Sequence, residues 1–201
     1  MRVPDVSPTA SSTASPTNSS VASPADSPIR VMTEPLSAAA FAPFGEVIDL
    51  LSDARREYAT RAFEHDATPG APSMWIGFPP GVVNAPNGIL RLKKLERHPH
   101  ATQTFVPIEA GRYLVVVCAA AADGSPDLTT LRALIGDEKQ AITYGQNVWH
   151  HGLTVLDTRT RFVTLMASYR TGDDDVFLDV PAAVDVILPT DSAQEPSHGN
   201  V

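Results

Sequence analysis

The sequence predicts an all-β chain, a two-sheet jelly-roll barrel with one short helix near its N-terminus. Three features predict it. Short runs of β-branched and apolar residues recur roughly every ten residues from Met74 onward, each closed by Gly, Pro, Asp or Asn. The 18 prolines fall almost wholly between those runs, as strand ladders require of a residue that cannot donate. Two runs, RYLVVVC (Arg112–Cys118) and RFVTLMASY (Arg161–Tyr169), are apolar without alternation and belong at sheet centres.

Taken in order, residues 1–28 are Ser, Thr, Pro and Ala with no continuous apolar segment, so they are expected to be disordered. They contain no secretory core. Arg2 and Arg30 are the only arginines near this stretch, which favours a cytoplasmic protein over organellar import. One folded domain is expected over 29–189, followed by a disordered polar tail over 190–201 that includes a solvated His198. Ser37 caps a short helix in AAAFAPF, which Gly45 ends. Strands are expected at Met74–Phe78, Ile89–Arg97, Gln103–Ile108, Arg112–Cys118, Thr129–Ile135, Gln140–Tyr144, Leu153–Leu156, Arg161–Tyr169 and Val184–Leu188, paired antiparallel. Ile89–Arg97 alternates and should be half buried.

Composition excludes several classes of function. The 201 residues make one domain by size, and 43% hydrophobic content fills one core. A net charge of -8 provides no basic face for nucleic acid. No apolar window is long enough to span a membrane as a helix. The single cysteine, Cys118, sits in an apolar strand; it reads as a buried thiol and fits a reducing compartment.

Chemistry concentrates in two segments that hold four of the six histidines: ERHPHATQTFVP (Glu96–Pro107) and YGQNVWHH (Tyr144–His151). Period two puts Lys94, Glu96 and His98 on one face of a strand. A carboxylate and an imidazole so spaced either chelate a cation or share a proton; alternatively Glu96 pairs with a neighbouring Lys or Arg. Pro99 ends the ladder, His100 lies in the turn, and Gln103 opens the next strand. His150 and His151, being consecutive, point to opposite faces, so at most one looks inward. His65 reads as a solvated loop residue. Arg132 interrupts an apolar run and needs a partner if buried, either a substrate carboxylate or an internal acid.

The blocks ERHP, TQTFVP, YLVVV, PDLTTLRA and TYGQNVWHH, in this order and spacing, resemble the ureidoglycolate lyase family of allantoin catabolism. The resemblance runs from Val31 to Leu188 and is densest from Leu95 to Leu156. It implies a cupin-type double-stranded β-helix, release of urea from (S)-ureidoglycolate to leave glyoxylate, a homodimer, and a divalent metal, with nickel the associated ion. On the wider cupin pattern, Glu96 falls at the first metal-binding His, His98 at the second, Gln103 at the Glu and His150 at the last. The resemblance therefore implies Glu96, His98 and His150 as catalytic residues, with His98 or His150 the base. It gives Glu96, His98, Gln103 and His150 to the metal, while side-chain chemistry makes Gln103, Trp149, Arg132 and Tyr144 the expected substrate contacts. His100 and His151 rank as secondary. The rival readings are a metal-dependent cupin oxygenase and a non-catalytic binder of small acids.

Overall fold

The computed structural model describes residues 27–67, 70–79, 85–157, 160–169 and 174–189, so most of the two polar ends expected to be disordered lies outside the described residues. Twelve strands and one short helix are present among them: β1 Ile29–Pro35, α1 Ala38–Phe41, β2 Gly45–Asp49, β3 Ala71–Gly77, β4 Ile89–Arg97, β5 Gln103–Pro107, β6 Tyr113–Cys118, β7 Arg132–Gly136, β8 Gln140–Tyr144, β9 Trp149–His150, β10 Thr154–Val155, β11 Phe162–Ser168 and β12 Val176–Ile187. One sheet has the order β10-β6-β7-β1-β12-β4-β9, and β9 also pairs with β6, closing six strands into a ring. The other has the order β2-β8-β5-β11-β3. The expected two-sheet β-barrel is the observed architecture.

Strand β6 shows why its sequence does not alternate. Tyr113, Val115 and Val117 pack with Phe41, Ile142, Tyr144 and Phe162 in the core between the sheets. Leu114, Val116 and Cys118 pack with Leu92, Leu95, Trp149 and Val186 inside the ring. Each face of the strand meets a core, so neither tolerates polar residues. Burial, reinforced by the charge of Asp127, pushes the Cys118 thiol up to about 12.

The structure departs from expectation in four places. Pairing is not antiparallel throughout: β1 runs parallel to both β12 and β7. Its sequence, IRVMTEP, carries Arg30, Glu34 and Pro35, which breaks the apolar signal of a strand. Strand β12 begins well before Val184, because Pro181 falls in the irregularity between Asp179 and Val184, where a missing N–H costs no ladder bond. The segment Leu128–Thr130 is a 3-10 turn instead of the start of β7, since the Asp127 side chain accepts from the Thr129 N–H and hydroxyl. Finally, Gly45 does more than end the helix. It opens β2 against β8, and a Cβ there would lie 1.9 Å from the Thr143 carbonyl oxygen. Ser37 does cap α1, its hydroxyl accepting from the Ala40 N–H at 3.2 Å.

This topology brings together the ends of strands remote in sequence. Glu96 of β4 is in register with His150 of β9 and with Phe177 of β12. Gln103 of β5 is in register with Tyr144 of β8 and Met166 of β11.

Candidate active site

Glu96, His98 and His150 converge, each offering one ligand atom, and these atoms all lie within 4.8 Å of one another. The His98 and His150 rings are 5.3 Å apart between centroids. His150 Nε2 is 3.4 Å from Glu96 Oε1. His98 and His150 are 4% and 1% exposed.

Both imidazoles are held through Nδ1. His98 Nδ1 is 3.0 Å from the Asp174 carbonyl oxygen, and His150 Nδ1 is 3.0 Å from that of Val148. A carbonyl only accepts, so each Nδ1 carries the proton and the Nε2 of a neutral ring presents a lone pair. Both Nε2 atoms are buried without a hydrogen-bond partner. Buried polar atoms are nearly always paired, and two orphans beside a carboxylate form a donor set waiting for a proton or a cation.

The electrostatics agree. Burial alone would raise the Glu96 pKa, but the neighbouring imidazoles, His150 at 3.4 Å first and then His98 and His151, hold it below the usual carboxylate value. Burial, then the proximity of His150, holds His98 below the ordinary imidazole value against the pull of the Asp174 carbonyl, Glu96 and Asp175. An ionised Glu96 beside a neutral His98 is the combination a divalent cation binds.

Next to this cluster lies a cavity of about 350 Å³, lined by Glu96, His98 and Gln103 with Met166 and the carboxylates of Asp174 and Asp175. Trp75, Tyr169 and Phe177 line it as well. Its described lining holds three carboxylates and no Lys or Arg. Asp174 is 4% exposed, and burial pushes its carboxyl above the ordinary value although the His100 N–H bonds to it.

Of the remaining residues singled out in the sequence, Gln103 and Tyr144 adjoin the cluster. Gln103 lines the cavity. The Tyr144 ring stacks on His150, with centroids 4.1 Å apart and planes at 14°. Its hydroxyl is buried and unpartnered, and burial followed by the Glu96 charge holds it well above 10.

Two other expected substrate contacts face elsewhere. Trp149 sits inside the ring core, donates from Nε1 to the Gly124 carbonyl at 3.0 Å and carries the Arg97 guanidinium 4.8 Å above its ring. It precedes His150 in a strand, so the two side chains point to opposite faces. Arg132 pairs with Glu34, at 2.8 Å through Nε and 2.6 Å through Nη2, and donates to the Ala40 carbonyl at 3.1 Å; its partner is an internal acid.

The secondary histidines hold other bonds. His100 Nδ1 lies 2.7 Å from Asp66 Oδ2, and His151 Nδ1 lies 3.2 Å from the Lys94 carbonyl oxygen. His65 is exposed, its Nδ1 2.7 Å from the Asp66 carbonyl oxygen. Sequence reasoning missed Trp75, Asp174 and Asp175 in the cavity wall. Trp75 lies in a run read only as a strand, and the acidic run Asp173–Asp175 reads as loop punctuation.

Residues 28–185 match a family model described as ureidoglycolate lyase. A protein of Agrobacterium fabrum, provisionally named ureidoglycolate lyase, is 34% identical over 158 residues, which is 78% of this chain and 95% of that one. A ureidoglycolate lyase of Salmonella typhimurium is 47% identical over 72 residues, or 36% of this chain and 44% of its own length. Among solved structures, a dTDP-4-dehydrorhamnose 3,5-epimerase from Bacillus anthracis aligns over 73% of this chain and 89% of that one, with 14% identity and a TM-score of 0.41.

Proposed function

The chain belongs to the ureidoglycolate lyase family, and from that premise we propose that it cleaves (S)-ureidoglycolate to glyoxylate and urea at the cavity bounded by Glu96, His98 and Gln103. Two buried imidazole nitrogens without partners, beside a carboxylate, carry the assignment. The oxygenase and the non-catalytic binder are not favoured by the family match.

The substrate is a hemiaminal, with hydroxyl, ureido nitrogen and carboxylate on one carbon. Cleavage removes a proton from the hydroxyl as its oxygen becomes the aldehyde carbonyl, breaks the carbon–nitrogen bond, and adds a proton to the departing nitrogen. No water is consumed. Both exchanging atoms sit on the same carbon, so one imidazole can take the first proton and return it as the second. His98 has this role, because it lines the cavity and its Nε2 is unpartnered. Glu96 and the Tyr144-stacked His150 fix the charge behind it.

The same donors fit a divalent cation, nickel being the ion implied by the family resemblance; Glu96, His98 and His150 would hold it. When bound, such an ion offsets the three cavity carboxylates and lowers the pKa of the substrate hydroxyl. Were His98 Nε2 a ligand, Asp175, whose carboxylate lies 3.2 Å from His98 Nδ1 and which lines the cavity, would be the group placed to take the hydroxyl proton. Chelator-stripped protein titrated with Ni2+ or Co2+ is expected to take up one ion per chain. Glu96→Gln should weaken that uptake by at least about tenfold, since losing a group that only orients a ligand through a hydrogen bond already costs that much. Calorimetry, or the visible spectrum of the Co2+ form, checks it; equal uptake by both proteins removes the cation from this cluster.

A homodimer is supported by edge strand β3, where Met74 is 67% and Ile76 is 59% exposed. Among the described residues no helix is long and apolar enough to cross a membrane; the proposed cytoplasmic location rests on the single buried thiol. The activity itself is tested with racemic ureidoglycolate. Urea and glyoxylate should appear in equal amounts and stop when one enantiomer is consumed. Release no faster than the uncatalysed rate from folded protein rejects the lyase.

A further inference from the structure

We propose that Gln103 and Asp174 form the subsite that reads the ureido end of the substrate, Gln103 Oε1 and Asp174 Oδ2 accepting its N–H groups. This rests on the lyase reading and adds to it the means by which a ureido acid is told from other small acids.

Both oxygens are buried without a hydrogen-bond partner, on residues only 8% and 4% exposed, and both residues line the same cavity. An acceptor taken from water and left unpaired is costly, so two of them in one cavity wall call for donors from a ligand.

Their directions are fixed by what the rest of each side chain does. Gln103 Nε2 donates to Met166 Sδ at 3.6 Å, which turns Oε1 away from the sulfur. The opposite amide orientation would set the oxygen lone pairs against those of the thioether. Asp174 is pinned twice: its Oδ1 accepts from the His100 backbone N–H at 2.6 Å, and its carbonyl accepts from His98 Nδ1 at 3.0 Å. Only Oδ2 is left.

A ureido group, –NH–CO–NH2, carries three N–H donors. The carboxylate end of the same substrate has none, and the Asp174 carboxylate repels it. The acceptor pair therefore orients the molecule, ureido end toward Gln103 and Asp174, and brings the hydroxyl-bearing carbon to His98 between them. Sites that hydrogen-bond a substrate N–H discriminate strongly against analogues lacking it.

The test compares N-carbamoylglycine, a ureido acid without the hydroxyl and so unable to release urea, with N-acetylglycine, which has a methyl in place of the terminal amine. Calorimetry on the purified full chain should show the first binding more than about tenfold tighter. In Asp174→Asn the His100 N–H keeps Oδ1 an acceptor, so a donor replaces Oδ2; in Gln103→Met the acceptor is removed at similar volume. Each variant should shrink the preference to within about threefold, with most of the loss falling on N-carbamoylglycine, because N-acetylglycine has one N–H to lose and N-carbamoylglycine three. Gln103→Met decides alone if the Asp174 variant fails to fold. Equal binding of the two probes by the unmodified chain, or an undiminished preference in the folded variants, overturns the subsite. A chain that shows the preference yet releases no urea from ureidoglycolate supports the subsite and rejects the lyase; one that releases urea without the preference does the reverse.

Discussion

Replacing His98 with Asn lowers kcat/KM for urea release by about 10²–10⁴, the usual contribution of a positioned proton-transfer group, and leaves the fold standing. Asn is chosen because its amide nitrogen falls near the place of Nδ1, so the bond to the Asp174 carbonyl, 3.0 Å in the native chain, can be kept. What disappears is the Nε2 lone pair, the buried atom that no protein group satisfies. Removing the imidazole also removes a neighbour that holds the Glu96 carboxylate down, so Glu96 becomes a somewhat weaker acid. Steady-state kinetics with circular dichroism reads the result. Nickel titration of the same variant separates two roles: an unchanged affinity leaves His98 as base, and a lost affinity makes it a ligand. A folded variant with native kcat/KM rejects both.

The strands that carry this site were legible because their patterns are local. Ile89–Arg97 and Gln140–Tyr144 have the same bounds in sequence and in structure, each being a β-branched or alternating run closed by turn residues. The convergence of Glu96, His98 and His150 is not a local property. It depends on β9 reaching β4 across the closed ring, and only the family resemblance pointed to it. Trp149 and Arg132 were drawn toward the substrate by their chemistry alone, yet period two already opposes Trp149 to its neighbour His150. Asp174 and Asp175 were illegible for another reason. Their position beside His98 is set by a backbone carbonyl contact across 76 residues, and an acidic run says nothing of its partners.

Trp149 gives the second large effect, on stability. Its side chain is 2% exposed and fills the ring core with Leu92, Leu95, Leu114 and Val186. Truncation to Ala should cost about 3–5 kcal/mol, the range for a buried aromatic whose cavity cannot collapse. The lost hydrogen bond to Gly124 leaves a carbonyl unpaired, and Arg97, whose Nε is already buried without a partner, loses the ring beneath it. Denaturant unfolding measures that cost. Trp149→Phe retains most of the volume and serves for kinetics: because His150 faces the other core, kcat/KM should stay within about threefold of native. A Phe variant of native stability that loses more than about tenfold in kcat/KM would put the indole on the substrate side of β9, contrary to the alternation of side chains along a strand.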